Sequence, residues 1–375
     1  PRLFMRVGIA TGPMMVGDVA AVTLGGIYAC FGDTRLAGKF LRQSAANQLP
    51  TGLMTNMTNR VSFDWQHVIP DYSLWWLRGL WRHYLYTGEA AWIHAFWPHV
   101  QKVVDFFAAY VNERGLIDHV PHWVFVDWAD VDKRGECAAL NAIYYGALES
   151  AHAMAEMKGD TYSAERYAGM REAMTAAFTE RFFDADRECL IDAVVDGEPS
   201  SKISEHANLA AIRFGLVDGA VAGRIIATFY ERSGLKYTEC QPFFTSVVLE
   251  ALHGAGRMDL ALEIIRRRWG DRMVKRGAKS VYEEWGCNGS WRDGEYACFM
   301  RTHSHAWSAA PAEFLIRHLM GLEILAPGCT EVRLDPAETD FDYVLAYPTP
   351  QGPITVKHEA GETRIDAPDG VEIRN

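Results

Sequence analysis

No stretch of this sequence is both long and apolar enough to cross a bilayer. A spanning helix needs roughly 20 consecutive apolar residues, and here Asp, Arg or Gly interrupts every apolar run within about a dozen. Basic residues are also in short supply: 37 Lys and Arg stand against 48 Asp and Glu, a formal net charge of −11. No basic face outweighs that excess, which argues against a nucleic-acid partner. No Cys-x-x-Cys pair occurs. The 7 cysteines (Cys30, Cys137, Cys189, Cys240, Cys287, Cys298 and Cys329) are odd in number and scattered. In a chain of this size they read as reduced, mostly buried thiols of a cytoplasmic protein. Because the chain begins at Pro1 rather than Met, a secretion signal upstream stays compatible with the sequence.

What is present is ordinary globular composition with one excess. Hydrophobic residues make up 49% and charged residues 23%, and 375 residues can enclose a sizeable core. Tryptophan stands out at 12 residues. Sugar-binding clefts stack apolar sugar faces on aromatic rings, but large helical cores also consume tryptophan, and composition alone favours the core.

Most of the chain reads as amphipathic helix. Residues 71–86 place Leu74, Leu77, Trp81 and Leu85 at helical spacing, and 136–157 and 162–183 repeat the pattern. Gly32-Asp33, Gly88-Glu89, Gly159-Asp160 and the run from Gly256 to Asp259 punctuate the helices, each a C-terminal glycine followed by an acidic start. About eleven helical segments before residue 325, paired as hairpins, predict a mainly α fold: an (α/α)6 barrel over residues 1–326. Long irregular stretches at 49–70, 119–135 and 276–302 hold the aromatic and acidic residues, and such loops are uncommon unless functional. After Pro327-Gly328 the texture changes. Residues 331–336, 343–347, 354–358 and 362–366 alternate apolar and polar side chains, which predicts a short β-sandwich-like module over 327–375.

The sharpest motif is Tyr282-Glu283-Glu284-Trp285. Adjacent carboxylates repel, aromatic neighbours desolvate, and the combination suits a general acid or base. Taken alone, the stretch favours a solvated pair on a surface turn. It stands in order with Val16-Gly17-Asp18, Val126-Asp127-Trp128, the run from His303 to Pro311 (HSHAWSAAP) and the run from Gly321 to Gly328 (GLEILAPG). Together these resemble the α-L-rhamnosidases of glycoside hydrolase family 78, from about Val16 to the chain end. The resemblance implies an (α/α)6 barrel followed by a C-terminal β-sandwich, and inverting hydrolysis of terminal α-L-rhamnosides. It implies a rhamnose-containing carbohydrate as partner, no cofactor and no metal.

Residue by residue, Glu283 matches the family's catalytic base in a Trp-Glu-x-Trp-like pattern, with Tyr282 in place of the first Trp. Glu284 is then the variable neighbour, expected in water. Asp18 matches an aspartate that holds sugar hydroxyls, and reads also as a helix N-cap. Asp127 and Trp128 match a Gly-Asp-Trp-like element beside the sugar, with Val126 where Gly is usual. His305 matches a substrate-contacting histidine, Trp285 closes the base motif, and Asp71 and Trp75 open a helix resembling another cleft-facing segment. Core packing is the alternative for the tryptophans. His303-x-His305 lacks a third metal ligand at convincing spacing, and Asp130-x-Asp132 lacks the rest of a calcium loop.

The departure lies upstream. The family carries its general acid before the Asp18 element, in runs resembling Asp-Cys-Pro-x-Arg-x-Glu. Here no acidic residue and no Trp occur between Pro1 and Gly17. Three expectations follow: a shifted frame or chimeric start before about Met14, a non-catalytic carbohydrate-binding member, or proton donation by Asp127 or Asp71. A six-hairpin phosphorylase is a further alternative, and would need a phosphate site.

Overall fold

The computed structural model describes residues 22–56, 68–285 and 302–374. Its helices are α1 (Val22–Phe31), α2 (Arg35–Ala46), α3 (Pro70–Thr87), α4 (Ala91–Ala108), α5 (Ala138–Lys158) and α6 (Thr161–Phe182). They continue with α7 (Glu205–Phe214), α8 (Gly219–Ile226), α9 (Pro242–Gly254), α10 (Met258–Ile265) and α11 (Ala310–Leu319). The odd-numbered helices form a closed ring, each packed on the next and α11 returning to α1. Helices α2 and α4 lie on α3, α6 on α5, and α10 on α9. This is the six-hairpin arrangement expected from the helical spacing.

Burial separates inner from outer helices. Helix α5 buries residues around its whole circumference, from Ala138 to Ala155. Helix α6 buries Ser163, Tyr167, Met174, Phe178 and Phe182, a single stripe at helical spacing. The glycine punctuation works as the sequence suggests. Gly159 takes a left-handed conformation (φ 71°) after α5, and Asp160 then caps α6 by accepting the Ser163 amide at 3.0 Å. Gly88 ends α3 the same way (φ 74°), and a Cβ there would stand 3.1 Å from the Gly328 Cα. That close approach seats the C-terminal segment on the barrel.

Short strands serve the inter-helix loops. Strand β1 (Glu136–Cys137) pairs with β4 (Ala193–Val195), β4 with β5 (Glu198–Pro199), and β2 (Phe183–Asp184) with β3 (Cys189–Leu190). The C-terminal segment holds β6 (Glu323–Ala326), β7 (Glu331–Arg333), β8 (Tyr343–Thr349), β9 (Gly352–Glu359), β10 (Glu362–Asp366) and β11 (Glu372–Arg374). They form two sheets of three strands that do not close, β8-β9-β10 and β6-β7-β11. Tyr86 of α3 donates to the Pro348 carbonyl at 2.8 Å, and Tyr343 to the Leu319 carbonyl at 3.0 Å, tying barrel and strands together. No helix among the described residues is long and apolar enough to cross a membrane.

Candidate active site

The N-terminal ends of the inner helices carry the motif residues. At the start of α3, Asp71 is wholly buried and receives two backbone amides. Its Oδ1 accepts from Phe125 at 2.9 Å and its Oδ2 from Val126 at 3.1 Å. The amides brace a turn that needs bracing: Val126 has φ 53°, in the left-handed region, where a β-branched residue is strained. This gives a physical sense to glycine being usual at that position. Burial pushes the Asp71 carboxyl up to about 6, with the two amides opposing it.

The sign of the resulting pH dependence follows from linkage. A raised folded-state pKa means the folded protein holds this proton more tightly than the unfolded chain between the usual 3.8 and about 6. The stabilisation is complete below that window and is lost as pH rises through about 6. A shift of this size corresponds to roughly 3 kcal/mol. We expect urea unfolding to show wild type losing roughly that much, relative to Asp71→Asn, between pH 4 and pH 7. Parallel pH profiles for the two proteins would refute it.

The strained turn delivers Asp127 into a second buried cluster. Its Oδ2 accepts from His206 Nε2 and from the Gln241 amide, each at 2.8 Å, and its Oδ1 accepts from the Trp128 amide at 2.9 Å. The other His206 nitrogen, Nδ1, is buried without a hydrogen-bond partner among the described residues. Among the described residues, Asp127, His206 and Cys240 are the side chains that could hold a metal, their ligand atoms lying within 4.8 Å of one another. The direct contact between His206 and Asp127 speaks for a hydrogen-bonded cluster. Two ligands each about 2.0–2.1 Å from a tetrahedral zinc stand more than about 3 Å apart.

Glu283 lies beside this cluster with both oxygens engaged. Trp128 Nε1 donates to Oε1 at 2.9 Å, and the Thr302 amide donates to Oε2 at 2.8 Å. His305 Nδ1 stands 3.9 Å from Oε2, its ring 4.3 Å from that of Trp307. Backbone pairing fixes the segment: the Glu283 amide donates to the Thr302 carbonyl and the His305 amide to the Val281 carbonyl, both at 2.9 Å. Trp307 Nε1 in turn donates to the Glu283 carbonyl at 2.9 Å. A carboxylate held by two N–H donors, with an imidazole nearby, can accept a proton from water.

Four of the expected site residues thus gather. Glu283, Trp128 and His305 adjoin, and Asp127 stands directly behind Trp128. Asp71 sits beneath the same loop. Trp75 packs edge-on against Phe243 at 6.0 Å and Phe244 at 6.5 Å. Trp285 is buried, with its Nε1 donating to the Cys240 carbonyl at 2.7 Å and its ring 4.7 Å from Trp269. Asp18 lies outside the described residues. Glu284 corrects the sequence reading: expected in water, it is buried, because its segment is tied inward by the pairing of 281–283 with 302–305 and by the bonds of Trp285 to Gln241 and Cys240. The sequence reading missed His206, Gln241 and Thr302. Ser204-Glu205-His206, a polar run opening an otherwise apolar helix, was the available signal for the first of these.

A family model described as the bacterial alpha-L-rhamnosidase 6 hairpin glycosidase domain matches residues 15–319. Among solved structures, the family 78 rhamnosidase of Bacillus sp. GL1 superposes with a TM-score of 0.85 at 26% identity, over 96% of this chain and 38% of that one. A rhamnosidase from Klebsiella oxytoca with rhamnose bound gives 0.68 at 19% identity, over 81% of this chain and 58% of that one. Streptomyces avermitilis alpha-L-rhamnosidase complexed with L-rhamnose gives 0.73 at 17%, over 96% and 34% respectively. The chain therefore spans well under two thirds of the length of these proteins. A search of curated proteins found no match.

Proposed function

Because the chain belongs to the bacterial α-L-rhamnosidase six-hairpin glycosidase family, we propose that it hydrolyses terminal α-L-rhamnosides with inversion, Glu283 acting as general base. One observation carries the reading: the Glu283 carboxylate is held at both oxygens, by Trp128 and by the Thr302 amide. Two donors fix the direction of the carboxylate, which a base that orients water requires. His305 and Trp128, on either side, are proposed to contact the sugar. Trp285, Trp75 and Asp71 are proposed to support that cleft from behind, since packing and backbone amides engage them. Asp18 is proposed to bind sugar hydroxyls on its motif alone.

In an inverting glycosidase the acid stands about 6.5–9.5 Å from the base, across the scissile bond. Asp71 and Asp127 are poor donors, because buried amides and His206 already engage their oxygens. The absence of an acidic residue between Pro1 and Gly17 favours a second reading, a carbohydrate-binding protein of the same fold that does not turn substrate over. The two readings separate in one experiment. Proton NMR of an aryl α-L-rhamnoside mixed with the protein should show the β-anomer of rhamnose forming first. Binding of rhamnose without any product supports the second reading. First formation of the α-anomer overturns inversion.

A further inference from the structure

A cavity lies inside the helix ring. It measures about 320 Å3 and is lined by residues of all six inner helices and by Glu323, Ile324 and Tyr347 of the strand-rich segment. On helix α3, Asp71 belongs to the Glu283 site and Arg82 lines this cavity, roughly 16 Å further along the axis.

Guanidiniums dominate its wall. Arg78 and Arg82 come from α3, Arg213 from α7 and Arg317 from α11. Two carboxylates, Glu250 and Glu313, lie enclosed among them. They are shared: Glu250 is 3.7 Å from Arg213, 3.5 Å from Arg317 and 2.8 Å from His318, while Glu313 takes Arg82 and stands 3.3 Å from Arg317. The other two lining carboxylates, Glu149 and Glu323, are more than half exposed at the rim. Each has an arginine partner outside the cavity, Arg171 at 3.8 Å and Arg333 respectively.

Helix dipoles account for part of this excess. Arg213 and Arg317 lie in the last turns of their helices, where cations are favoured. Arg78 and Arg82 lie well inside α3, beyond the reach of its end. Arg78 donates to the Gly146 carbonyl at 2.6 Å, lies 4.6 Å over the Phe214 ring, and has a carboxylate no nearer than Glu149 at 3.9 Å. Burial depresses both guanidiniums, Arg78 to about 9 and Arg82 to about 10, and the neighbouring Arg213 and Arg317 add to it. A further donor shares the wall: Trp75, whose buried indole N–H has no partner among the described residues.

We propose that this cavity is a binding site for a small oxyanion of the phosphate class, held by Arg78, Arg82, Arg213 and Arg317. Fork-shaped guanidiniums match a tetrahedral oxyanion in pairs, and a dianion would balance the charge that Glu250 and Glu313 leave. Because the walls belong to both barrel and strands, the anion would join the two. The proposal concerns binding alone, so it stands independently of the reaction.

The test is titration of inorganic phosphate into the protein by calorimetry, paired with thermal unfolding, with sodium chloride holding ionic strength constant. We expect saturable binding and a rise in Tm, both at least about tenfold weaker in Arg78→Gln and Arg213→Gln, since each removes a charge-assisted contact. Binding should be unchanged in Glu283→Gln. No saturable heat with wild type overturns the proposal, as does full affinity in both arginine variants. Should Arg78→Gln fail to fold, the wild-type titration and the partly exposed Arg213 still decide.

Discussion

Glu283→Gln is expected to lower turnover of an aryl α-L-rhamnoside by about 10²–10⁴-fold, the usual contribution of a general base. The substitution keeps the side chain's shape. A glutamine oxygen can still accept from Trp128 Nε1, while its amide group would face the Thr302 N–H and lose that bond. The aryl leaving group departs with little protonation, so a missing acid does not mask the loss of the base. kcat and kcat/KM should fall together, because the base acts on water in the transition state rather than on bound sugar. Rhamnose should still raise the melting temperature of the variant. Retention of more than a tenth of wild-type turnover would move the base elsewhere. A variant that neither turns over nor binds would show instead that Glu283 organises the cleft, through its side-chain bonds to Trp128 and the Thr302 amide.

The fold was legible because helix periodicity and glycine caps are local signals. Residues 71–86 became α3 (Pro70–Thr87), and the Gly159-Asp160 pair sits at the junction it marks. Strands β8, β9 and β10 were readable as alternating segments in tandem hairpins. Strand β11 was not, because it pairs parallel with β7, some forty residues earlier. Such a partner leaves no mark in a three-residue strand. The site was legible in its motifs and opaque in its contacts. Nothing local to Asp127 says that His206 and Gln241 reach it, and nothing local to Glu284 says that its segment is buried. Those facts belong to closure of the helix ring, which brings α7, α9 and the segment before α11 against one loop. Val126 lies between the two cases: the motif suggested glycine there, and the left-handed backbone at that residue supplies the reason.

The largest structural effect should come from a residue that no motif names. Helix α10 widens into a π-helical turn at Arg266–Asp271, which turns Arg268 inward. Its guanidinium donates to Glu205 Oε1 at 2.7 Å and is ion-paired with Glu239, Nε to Oε1 at 2.9 Å. Glu205 is wholly buried and also accepts from Tyr230 at 2.8 Å and from the Cys240 amide at 2.8 Å. Burial acts to raise the Glu205 carboxyl, but Arg268 prevails and holds it below the usual range. Arg268→Met would leave that carboxylate buried without its cation, at a cost of about 3–5 kcal/mol. The pH dependence should change sign. In wild type the pair stabilises above the ordinary glutamate pKa and its contribution is lost as pH falls through the lowered value. In the variant, burial is opposed only by the Tyr230 and Cys240 hydrogen bonds, so acidification should recover stability. Adding Glu205→Leu should restore much of the loss, because a buried pair can be replaced by apolar groups at little cost. Activity should suffer at temperatures where the single variant is folded, since Cys240 and Gln241 hold Trp285 and Asp127 in place. Urea unfolding of the single and double variants at pH 5 and pH 8, with rhamnoside turnover alongside, measures each of these effects. A single variant within about 1 kcal/mol of wild type at pH 8 would mean that Glu205 is satisfied by Tyr230 and Cys240 alone.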